Sequence, residues 1–459
     1  MSSLKCISPI DGSVFAERNA FDITTARTIV EQSKAAQKPW QATSLDDRIA
    51  LIKKGLSALE AMNDEIVPEL AHMMGRPVRY GGEFGGVKER SYAMLNMAAD
   101  ALKPVVVEES DNFSRYITRE AVGVVLVIAP WNYPYLTAVN TIVPALAAGN
   151  AVVLKHSTQT LLVGERMVEA FKSAGVPEGV FSNVYLDHAT TGQLIKDRSF
   201  GFINFTGSVD GGKAIETGAA GTFTNIGLEL GGKDPGYVMA DANLDVAVET
   251  LIDGAMFNSG QCCCSIERIY VDESLYDAFV EKATAIVTGY TLGNPLDPET
   301  TLGPMAHERF AKEVKAQLAE ALADGAKGTV DPSLFPDLGP AYVAPQILVD
   351  VDHTIRVMRD ETFGPLVGIM KVKSEVEAIE LMNDSNFGLT ASIWTSNLEN
   401  AARIGAQLET GTVFMNRCDY VDPGLCWTGC KDTGRGAALS SLGYQSVTRP
   451  KSYHLKKVV

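Results

Sequence analysis

Apolar residues recur every three to four positions between residues 22 and 103, in ARTIVEQSKAAQKPW, RIALIKKGLSALEAM and KERSYAMLNMAADAL. That spacing gathers the apolar side chains on one face of a helix. The sequence therefore predicts that the chain opens with about three amphipathic helices.

From residue 122 the pattern changes to short β-branched runs, each followed by a helical stretch, as in VGVVLVIA then LTAVNTIVPALAAG, and FGFINFT then GGKAIETGAA. A second series between about 230 and 440 includes ERIYVDES then LYDAFVEKATAIV, and LTASIWTS then LENAARIGAQLE. Strands that alternate with helices are typical of parallel βαβ units. We therefore predict an α/β protein with two parallel-sheet domains.

Two segments fit neither series. NFSRYITREAV (112–122) and SVTRPKSYHLKK (446–457) alternate like strands with one solvent-facing side. Exposed strands of this kind pair with each other or with another subunit, and the pattern leaves both arrangements open.

Composition and charge limit the classes of binding partner that the sequence predicts. The chain has 459 residues, 46% of them hydrophobic, and 40 Lys and Arg against 56 Asp and Glu, a net charge of −16. Such a charge repels nucleic acid and anionic membranes, so we predict neither as a partner. The N-terminus MSSLKCISPIDGS lacks a signal-peptide core, and the most apolar run, AVGVVLVIAP, is too short to cross a bilayer. A cytoplasmic location is expected.

Seven cysteines, three of them adjacent at 262–264, do not resemble a disulfide framework. Three neighbouring cysteines cannot all ligate one metal ion without strain, and no His or Cys pair with ligand spacing lies nearby, so no metal site is predicted. Most free cysteines are small buried residues. Alternation along the backbone makes Cys263 point away from Cys262 and Cys264, which predicts one thiol in a cleft and two in the core.

Polar residues at strand ends are further candidates. Glu229 ends a strand in GLELGGKDP, where it is either a salt-bridged or capping residue or a carboxylate held beside a ligand. Asn132 lies within APWNYP, just after the carboxyl end of the strand VGVVLVIA. There it either donates to an oxyanion or caps the next helix. In INFTGSVDGGKAIE, Gly207 and Gly212 flank a turn that opens a helix, which suits a pyrophosphate, although a purely structural turn has the same pattern.

In this order, APWNYP, FTGSxxxG, LELGGKDP, GQCCC and ETFGP resemble the motifs of the aldehyde dehydrogenase superfamily. The similarity runs from about residue 5 to residue 455. The segment 416–455 is similar to the shorter branch that includes succinate-semialdehyde dehydrogenases. This resemblance implies two Rossmann-like domains, one for the cofactor (1–111 and 123–229) and one for catalysis (230–441). It also implies a small β oligomerisation element (112–122 and 442–459) of a homodimer or homotetramer.

The same resemblance assigns roles. It implies that Cys263 is the nucleophile, that Glu229 is the general base, and that Asn132 forms the oxyanion hole with the Cys263 backbone N–H. The cofactor, NAD or NADP, is expected to contact Trp131, Lys155, Thr158, Gly207, Ser208, Gly212, Glu361 and Phe363.

Two positions depart from the family pattern. Thr158 stands where many members have a glutamate that accepts the adenosine ribose hydroxyls, so a 2′-phosphate is not repelled and activity with both cofactors is expected. Arg417 either holds a substrate carboxylate or forms a structural salt bridge. The expectation of a small semialdehyde substrate depends on the similarity of 416–455 to the shorter branch of the family. Cys418, Cys426 and Cys430 are expected to be packing residues.

The implied activity is NAD(P)-dependent oxidation of an aldehyde to the acid, through a thiohemiacetal and a thioester on Cys263. Three alternatives remain. A CoA-acylating enzyme would not need Glu229 to activate water. A structural protein on the same fold would not need to retain Cys263 and Glu229. A cysteine hydrolase would need a histidine partner for the thiol. None of the six histidines lies in a motif with the thiol.

Overall fold

The computed structural model describes residues 2–458 of the chain. Up to residue 229 the elements are, in chain order, β1 (Ser3–Ile7), β2 (Val14–Asn19), α1 (Ile23–Ala42), α2 (Leu45–Glu60), α3 (Asn63–Met74), α4 (Phe84–Leu102), β3 (Val105–Glu109), β4 (Phe113–Ala121), β5 (Val124–Ala129), α5 (Pro134–Ala147), β6 (Ala151–His156), α6 (Leu161–Ser173), β7 (Phe181–Asn183), α7 (His188–Lys196), β8 (Phe202–Thr206), α8 (Val209–Ala219) and β9 (Asn225–Glu229).

From residue 230 the elements are β10 (Asp234–Val238), α9 (Leu244–Met256), β11 (Ile266–Asp272), α10 (Tyr276–Thr288), α11 (Glu308–Ala323), β12 (Lys327–Gly328), β13 (Gln346–Val349), β14 (Leu366–Val372), α12 (Glu375–Asn383), β15 (Phe387–Gly388), β16 (Thr390–Trp394), α13 (Leu398–Gly405), β17 (Thr412–Met415), β18 (Cys430–Lys431), β19 (Gly434–Arg435), α14 (Ser440–Ser446) and β20 (Thr448–Lys456). Short 3₁₀ turns include Thr158–Thr160 and Phe257–Gly260.

The first large sheet has six strands in the order β19-β9-β8-β5-β6-β7. Its strands are parallel except for β19, which pairs antiparallel with β9. Every residue of β5 and β6 is buried, as expected for strands covered on both faces. The ends of β5, β6 and β8 therefore meet at one edge, where open α/β sheets bind ligands.

The second large sheet has seven strands in the order β12-β13-β14-β11-β10-β16-β17. Its strands are parallel except for β12 at the edge. Leu251 and Ile252 of α9 share one buried hydrophobic cluster with Ile269 of β11 and Val367 of β14. The two sheets with their helices confirm the predicted α/β class.

A three-stranded antiparallel sheet contains the two segments that fitted neither series. β4 pairs along its whole length with β20, from Thr448 opposite Ala121 to Lys456 opposite Phe113. The two predicted strands thus pair with each other. β3, which the sequence assigned to the cofactor domain, adds a third strand to this sheet.

The N-terminal region differs from the predicted three helices. It forms the hairpin β1–β2 and four helices, of which α3 was not predicted. Ile66, Leu70 and Met73 of α3 are buried, but Pro68 within the helix and its length of 12 residues obscure the pattern.

Within residues 2–458, none of the helices is both long and apolar enough to span a membrane.

Candidate active site

The three adjacent cysteines lie in a tight turn that follows α9. Asn258, Ser259 and Gly260 have positive φ angles of 55°, 56° and 70°. A Cβ atom on Gly260 would lie 2.2 Å from the carbonyl oxygen of Gly364, so glycine is required there. The N–H of Cys262 then donates to the carbonyl of Gly260 at 3.0 Å, which closes the turn.

The turn changes the expected arrangement of the thiols. Cys262 and Cys264 are buried, 7% and 4% exposed, whereas Cys263 is partly exposed. The three Sγ atoms nevertheless lie within 4.8 Å of one another, and those of Cys262 and Cys264 are 3.5 Å apart. The middle side chain therefore does not point away from its neighbours, because the backbone is turned rather than extended.

This grouping favours ionisation of the middle thiol. Hydrogen bonds with Cys262 and then Cys264 lower the pKa of Cys263 below its usual value, in opposition to burial. Hydrogen bonding with Cys262 and Cys263, together with burial, raises the pKa of Cys264 well above its usual value. Since the thiolate is the nucleophilic form, this difference in pKa favours Cys263 over Cys262 and Cys264 as a nucleophile.

Asn132 lies in the turn between β5 and α5 and is 5% exposed. Its Nδ2 donates to the carbonyl oxygen of Gln261 at 3.2 Å. Gln261 belongs to the turn of residues 258–264, called the cysteine turn below. One amide hydrogen of Asn132 is thus engaged and the second is available. The backbone N–H of Cys263 has no hydrogen-bond acceptor among the residues described.

A buried ion pair between Arg76 and Glu83, which the sequence did not reveal, holds this turn. Arg76 Nη2 donates to the carbonyl oxygen of Asn132 at 2.6 Å. Glu83 Oε2 accepts the N–H groups of Tyr135 and Leu136, at 3.1 and 2.8 Å, at the start of α5. The pair therefore fixes both Asn132 and the helix that follows it.

Glu229 ends β9, and its side chain accepts a hydrogen bond from Thr206 Oγ1 at 3.0 Å. Burial raises the pKa of Glu229 to about 7, against the lowering effects of Thr206 and Arg90. A carboxyl group with this pKa can act as a general base near neutral pH.

Glu229 and Cys263 line one cavity of about 240 Å³. Leu228, Phe257 and Trp427 contribute apolar walls, and the cavity also includes polar side chains that the sequence did not single out. A cavity of this size accommodates a small molecule close to both groups.

Two glycines after Glu229 allow close packing of the backbone. A Cβ atom on Gly231 would lie 2.4 Å from Glu361 Oε1, and one on Gly232 would lie 2.3 Å from the carbonyl oxygen of Cys263. The N–H of Gly232 donates to Glu361 Oε1 at 3.0 Å. Burial raises the pKa of Glu361 to about 8. The segment therefore brings Glu361 and the cysteine turn against the same stretch of backbone.

Glu267 positions the loop that carries Glu361. It forms a buried ion pair with Lys233 at 2.6 Å and accepts the N–H groups of Thr362 and Phe363 at 2.8 and 2.9 Å. Phe363 has a positive φ of 52°. Because its partners lie far away in sequence, Glu267 could not be recognised from any local motif.

Trp131 and Phe363, both predicted to contact the cofactor, lie together. Their rings meet edge to face with centroids 5.6 Å apart. Phe310 stacks on Trp131 at 5.0 Å and extends the group.

The turn between β8 and α8 has the predicted strand-turn-helix form. Ser208 caps the helix by accepting the N–H of Gly211 at 3.2 Å. A Cβ atom on Gly207 would lie 2.8 Å from Phe205, and one on Gly212 would lie 2.7 Å from Leu230. Both glycines thus have packing roles, and the first N–H groups of α8 remain suited to an anion.

Lys155 is 9% exposed near the end of β6. Burial lowers the pKa of its ammonium group, and Nζ has no salt-bridge partner in the part of the chain that the structure describes. Thr158 begins the 3₁₀ turn that follows. A buried ammonium without a carboxylate is suited to oxygen atoms of a ligand.

These groups fit a dinucleotide. Lys155 and the Gly207 turn lie at the same edge of the first sheet, and Glu361 and Phe363 lie beside the cysteine turn. An unpaired ammonium, a helix N-terminus and a carboxyl group match the hydroxyl and phosphate groups of NAD or NADP.

Arg417 lies outside the residues that line the cavity. It is exposed, and its guanidinium stacks on the ring of Tyr420 at 3.6 Å. Cys418 is buried, whereas Cys426 and Cys430 are half-buried. Across residues 2–458, only Cys262, Cys263 and Cys264 have ligand atoms grouped closely enough for a metal ion.

The model of the aldehyde dehydrogenase family matches residues 1–453. The chain is 32% identical over 443 residues to the succinate semialdehyde dehydrogenase (NAD(P)+) Sad of Escherichia coli (strain K12), which covers 95% of this chain and 94% of that protein. It is 33% identical over 466 residues to a vanillin dehydrogenase of Corynebacterium glutamicum, which covers 98% and 94%.

Solved structures agree. The succinic semialdehyde dehydrogenase of Streptococcus pyogenes, in complex with NADP+ as the cofactor, superimposes with a TM-score of 0.94 at 29% identity, covering 99% of this chain and 100% of that chain. Since the family model spans nearly the whole sequence, the chain belongs to the aldehyde dehydrogenase family.

Proposed function

We propose that this protein oxidises a small aldehyde, of the semialdehyde type, to the carboxylic acid through a covalent intermediate on Cys263. Membership of the family makes the chain an NAD(P)-dependent aldehyde dehydrogenase. The observation that carries the assignment of residues is the cavity shared by Cys263 and Glu229. The E. coli and S. pyogenes relatives named for succinate semialdehyde support the substrate class.

In the first step the Cys263 thiolate adds to the carbonyl carbon, and the carbonyl oxygen becomes an oxyanion. The free amide hydrogen of Asn132 and the N–H of Cys263 stabilise that charge. Arg76 and Glu83 keep Asn132 in place, so little reorganisation is needed as the charge develops.

NAD or NADP, when bound, would supply the acceptor for the hydride that leaves the thiohemiacetal carbon as the thioester forms. Lys155, Ser208 and Glu361 would hold and orient the cofactor, and Trp131 and Phe363 would form an aromatic wall beside it. Glu229 then removes a proton from water, which attacks the thioester carbon and releases the acid while Cys263 leaves as the thiolate.

The CoA-acylating alternative needs no base for water. Glu229 lines the same cavity as the thiol with a pKa raised to about 7, which favours hydrolysis.

We also propose that the sheet of β3, β4 and β20 joins subunits in a homodimer or homotetramer. Val105, Val106 and Val107 along β3 are 59%, 65% and 59% exposed, which supports an apolar contact surface. All seven cysteines are free thiols, which supports a location in the cytoplasm, where thiols stay reduced.

The test is to mix the protein with NAD or NADP and a panel of aldehydes, and to follow absorbance of the reduced nicotinamide with and without CoA. We expect turnover without CoA. A requirement for CoA would favour acyl transfer to CoA, and no signal with any aldehyde would contradict the proposal. Cys263→Ala should abolish turnover, whereas Cys418→Ala, in a packing residue, should retain it.

A further inference from the structure

Arg90 of α4 lines the cavity that contains Cys263 and Glu229. Its Nη1 makes two long hydrogen bonds, to the carbonyl oxygen of Leu136 at 3.3 Å and to Asn140 Oδ1 at 3.4 Å. Nε and Nη2 have no acceptor, and Arg90 forms no salt bridge, within residues 2–458. The guanidinium therefore has unused donors beside the reaction centre.

A charged group in this position is costly without a counter-charge. Burial lowers the pKa of Arg90, yet a guanidinium remains protonated in proteins. Arg90 is half-buried and lines the cavity, so an anion that enters the cavity can pair with its guanidinium.

The acidic groups nearest to Arg90 do not supply a fixed counter-charge. Glu83 is engaged by Arg76 and by the start of α5. Burial raises the pKa of Glu229 to about 7, so it is only partly ionised at neutral pH. Burial also raises the pKa of Asp419 well above its usual range, which disfavours the ionised form of that carboxyl group. The Cys263 thiolate loses its charge when it bonds to a substrate.

The rest of the cavity is mainly apolar, with walls from Leu228, Phe257 and Trp427. Such walls accommodate the carbon chain of a substrate, and the single unpaired cation then selects what lies at the end of that chain. The planar guanidinium matches the two oxygens of a carboxylate.

We propose that Arg90 binds the carboxylate at the far end of the substrate, so that the enzyme selects short aldehydes that carry this group, the ω-carboxy aldehydes. The inference rests on the proposed function, since it uses the attack of Cys263 at the other end of the same substrate. The sequence suggested that Arg417 binds a substrate carboxylate, and the structure assigns this role instead to a residue that lines the cavity. Arg90 is thus a specificity-determining residue.

The experiment compares ω-carboxy aldehydes, including succinate semialdehyde, with neutral alkanals of equal chain length, including butanal. The quantity measured is the ratio of kcat/KM for the acid to kcat/KM for the neutral member of each pair. In the wild type we expect a ratio of at least about 10 for one chain length, and in Arg90→Met a fall of that ratio by roughly 100-fold. A smaller loss common to both substrates is also expected, because Arg90 lowers the pKa of Glu229. Arg90→Lys keeps the positive charge but lacks the two parallel N–H donors of the guanidinium. Its ratio should therefore lie between those of the wild type and Arg90→Met.

Arg417→Met is the matched control, and its ratio should stay within about twofold of the wild type. Equal loss with acid and neutral substrates in Arg90→Met, with a shifted pH profile, would mean that Arg90 acts on Cys263 or Glu229 and would overturn the proposal. A wild-type ratio near one for every pair would overturn it without any variant. If wild-type protein oxidises no aldehyde at all, the proposed function itself fails, which is a distinct result.

Discussion

Arg76 Nη2 lies 2.6 Å from the carbonyl oxygen of Asn132 while the same guanidinium is paired with Glu83. The side chains of this ion pair are only 4% and 3% exposed. The proposed oxyanion hole therefore depends on a charge pair that is sealed from water.

Replacement of Arg76 by Met should leave Glu83 as an unpaired buried carboxylate. We expect unfolding free energy to fall by about 3–5 kcal/mol, with a lower kcat in the protein that remains folded. Urea denaturation and steady-state kinetics measure the two effects. Arg27→Met is the control, because the Arg27–Asp197 pair is solvent-exposed, and its cost should be about 1 kcal/mol or less.

The flanking thiols give a second prediction. Cys262→Ala removes a hydrogen bond that lowers the pKa of Cys263, so the thiolate should form at higher pH. The pH dependence of alkylation by iodoacetamide reports this pKa. Cys418→Ala, in a buried cysteine distant in sequence, should leave the alkylation profile unchanged, and an unshifted profile in Cys262→Ala would contradict the role of the flanking thiols.

Glu229 should make hydrolysis of the thioester depend on pH. Its pKa of about 7 predicts that the deacylation rate rises with pH and levels off above this value. In Glu229→Gln a stoichiometric burst of reduced cofactor should precede a slow steady state. A steady-state rate equal to the wild type would remove Glu229 from the mechanism.

The same raised pKa affects stability with a defined sign. Between pH 4.5 and pH 7 the unfolded chain ionises at Glu229 while the folded protein keeps the proton. Stability should therefore fall as pH rises across this window, by at most about 3 kcal/mol. In Glu229→Gln the free energy of unfolding should depend less steeply on pH in this window. Denaturation at several pH values measures the difference. The slope from Glu361, whose pKa is raised to about 8, should remain in both proteins.

Gly231→Ala tests the contact with Glu361. The new Cβ atom would lie 2.4 Å from Oε1, so the carboxylate must move away from the proposed cofactor site. We expect the Kd for NAD, measured by fluorescence titration, to rise about tenfold. Gly192→Ala is the matched control, because no atom lies within 4 Å of its added Cβ and alanine favours a helix by about 1 kcal/mol.

Thr158 should set the balance between the two cofactors. Thr158→Glu places a negative charge near the expected position of a 2′-phosphate, so the NAD-to-NADP ratio of kcat/KM should rise by about tenfold or more. Thr158→Gln, of similar size without the charge, separates repulsion from steric effects. An unchanged ratio in Thr158→Glu would show that this position does not contact the adenosine ribose.

The sequence was informative where the chemistry lies within one continuous segment. The strand-turn-helix around Gly207 and the strand that ends at Glu229 were predicted as the structure has them, because short-range spacing determines both elements. The two parallel-sheet units followed from the alternation of strands and helices. The sulfur arrangement of Cys262, Cys263 and Cys264 was not predicted, because it depends on three consecutive residues with positive φ.

Groups that act across the fold were not visible in the sequence. Arg76 lies 56 residues from Asn132, and Glu267 lies 96 residues from Phe363. Arg90 is one of several charged residues on an amphipathic helix, and only the packing of α4 against α5 directs it into the cavity. No local spacing distinguishes these residues from ordinary surface charges.

The antiparallel pairing of β19 with β9, which sets Gly434 opposite Glu229, has a consequence for biosynthesis. Strand β9, which ends at Glu229, receives its outer partner from a segment that follows Cys263 in the sequence. Trp427, Thr428 and Gly429 of the same segment line the cavity. A nascent chain on the ribosome therefore contains both Cys263 and Glu229 before the segment that closes their shared cavity has been synthesised. The two residues come to share an enclosed cavity only after Trp427, Thr428, Gly429 and β19 have been synthesised and have packed beside β9.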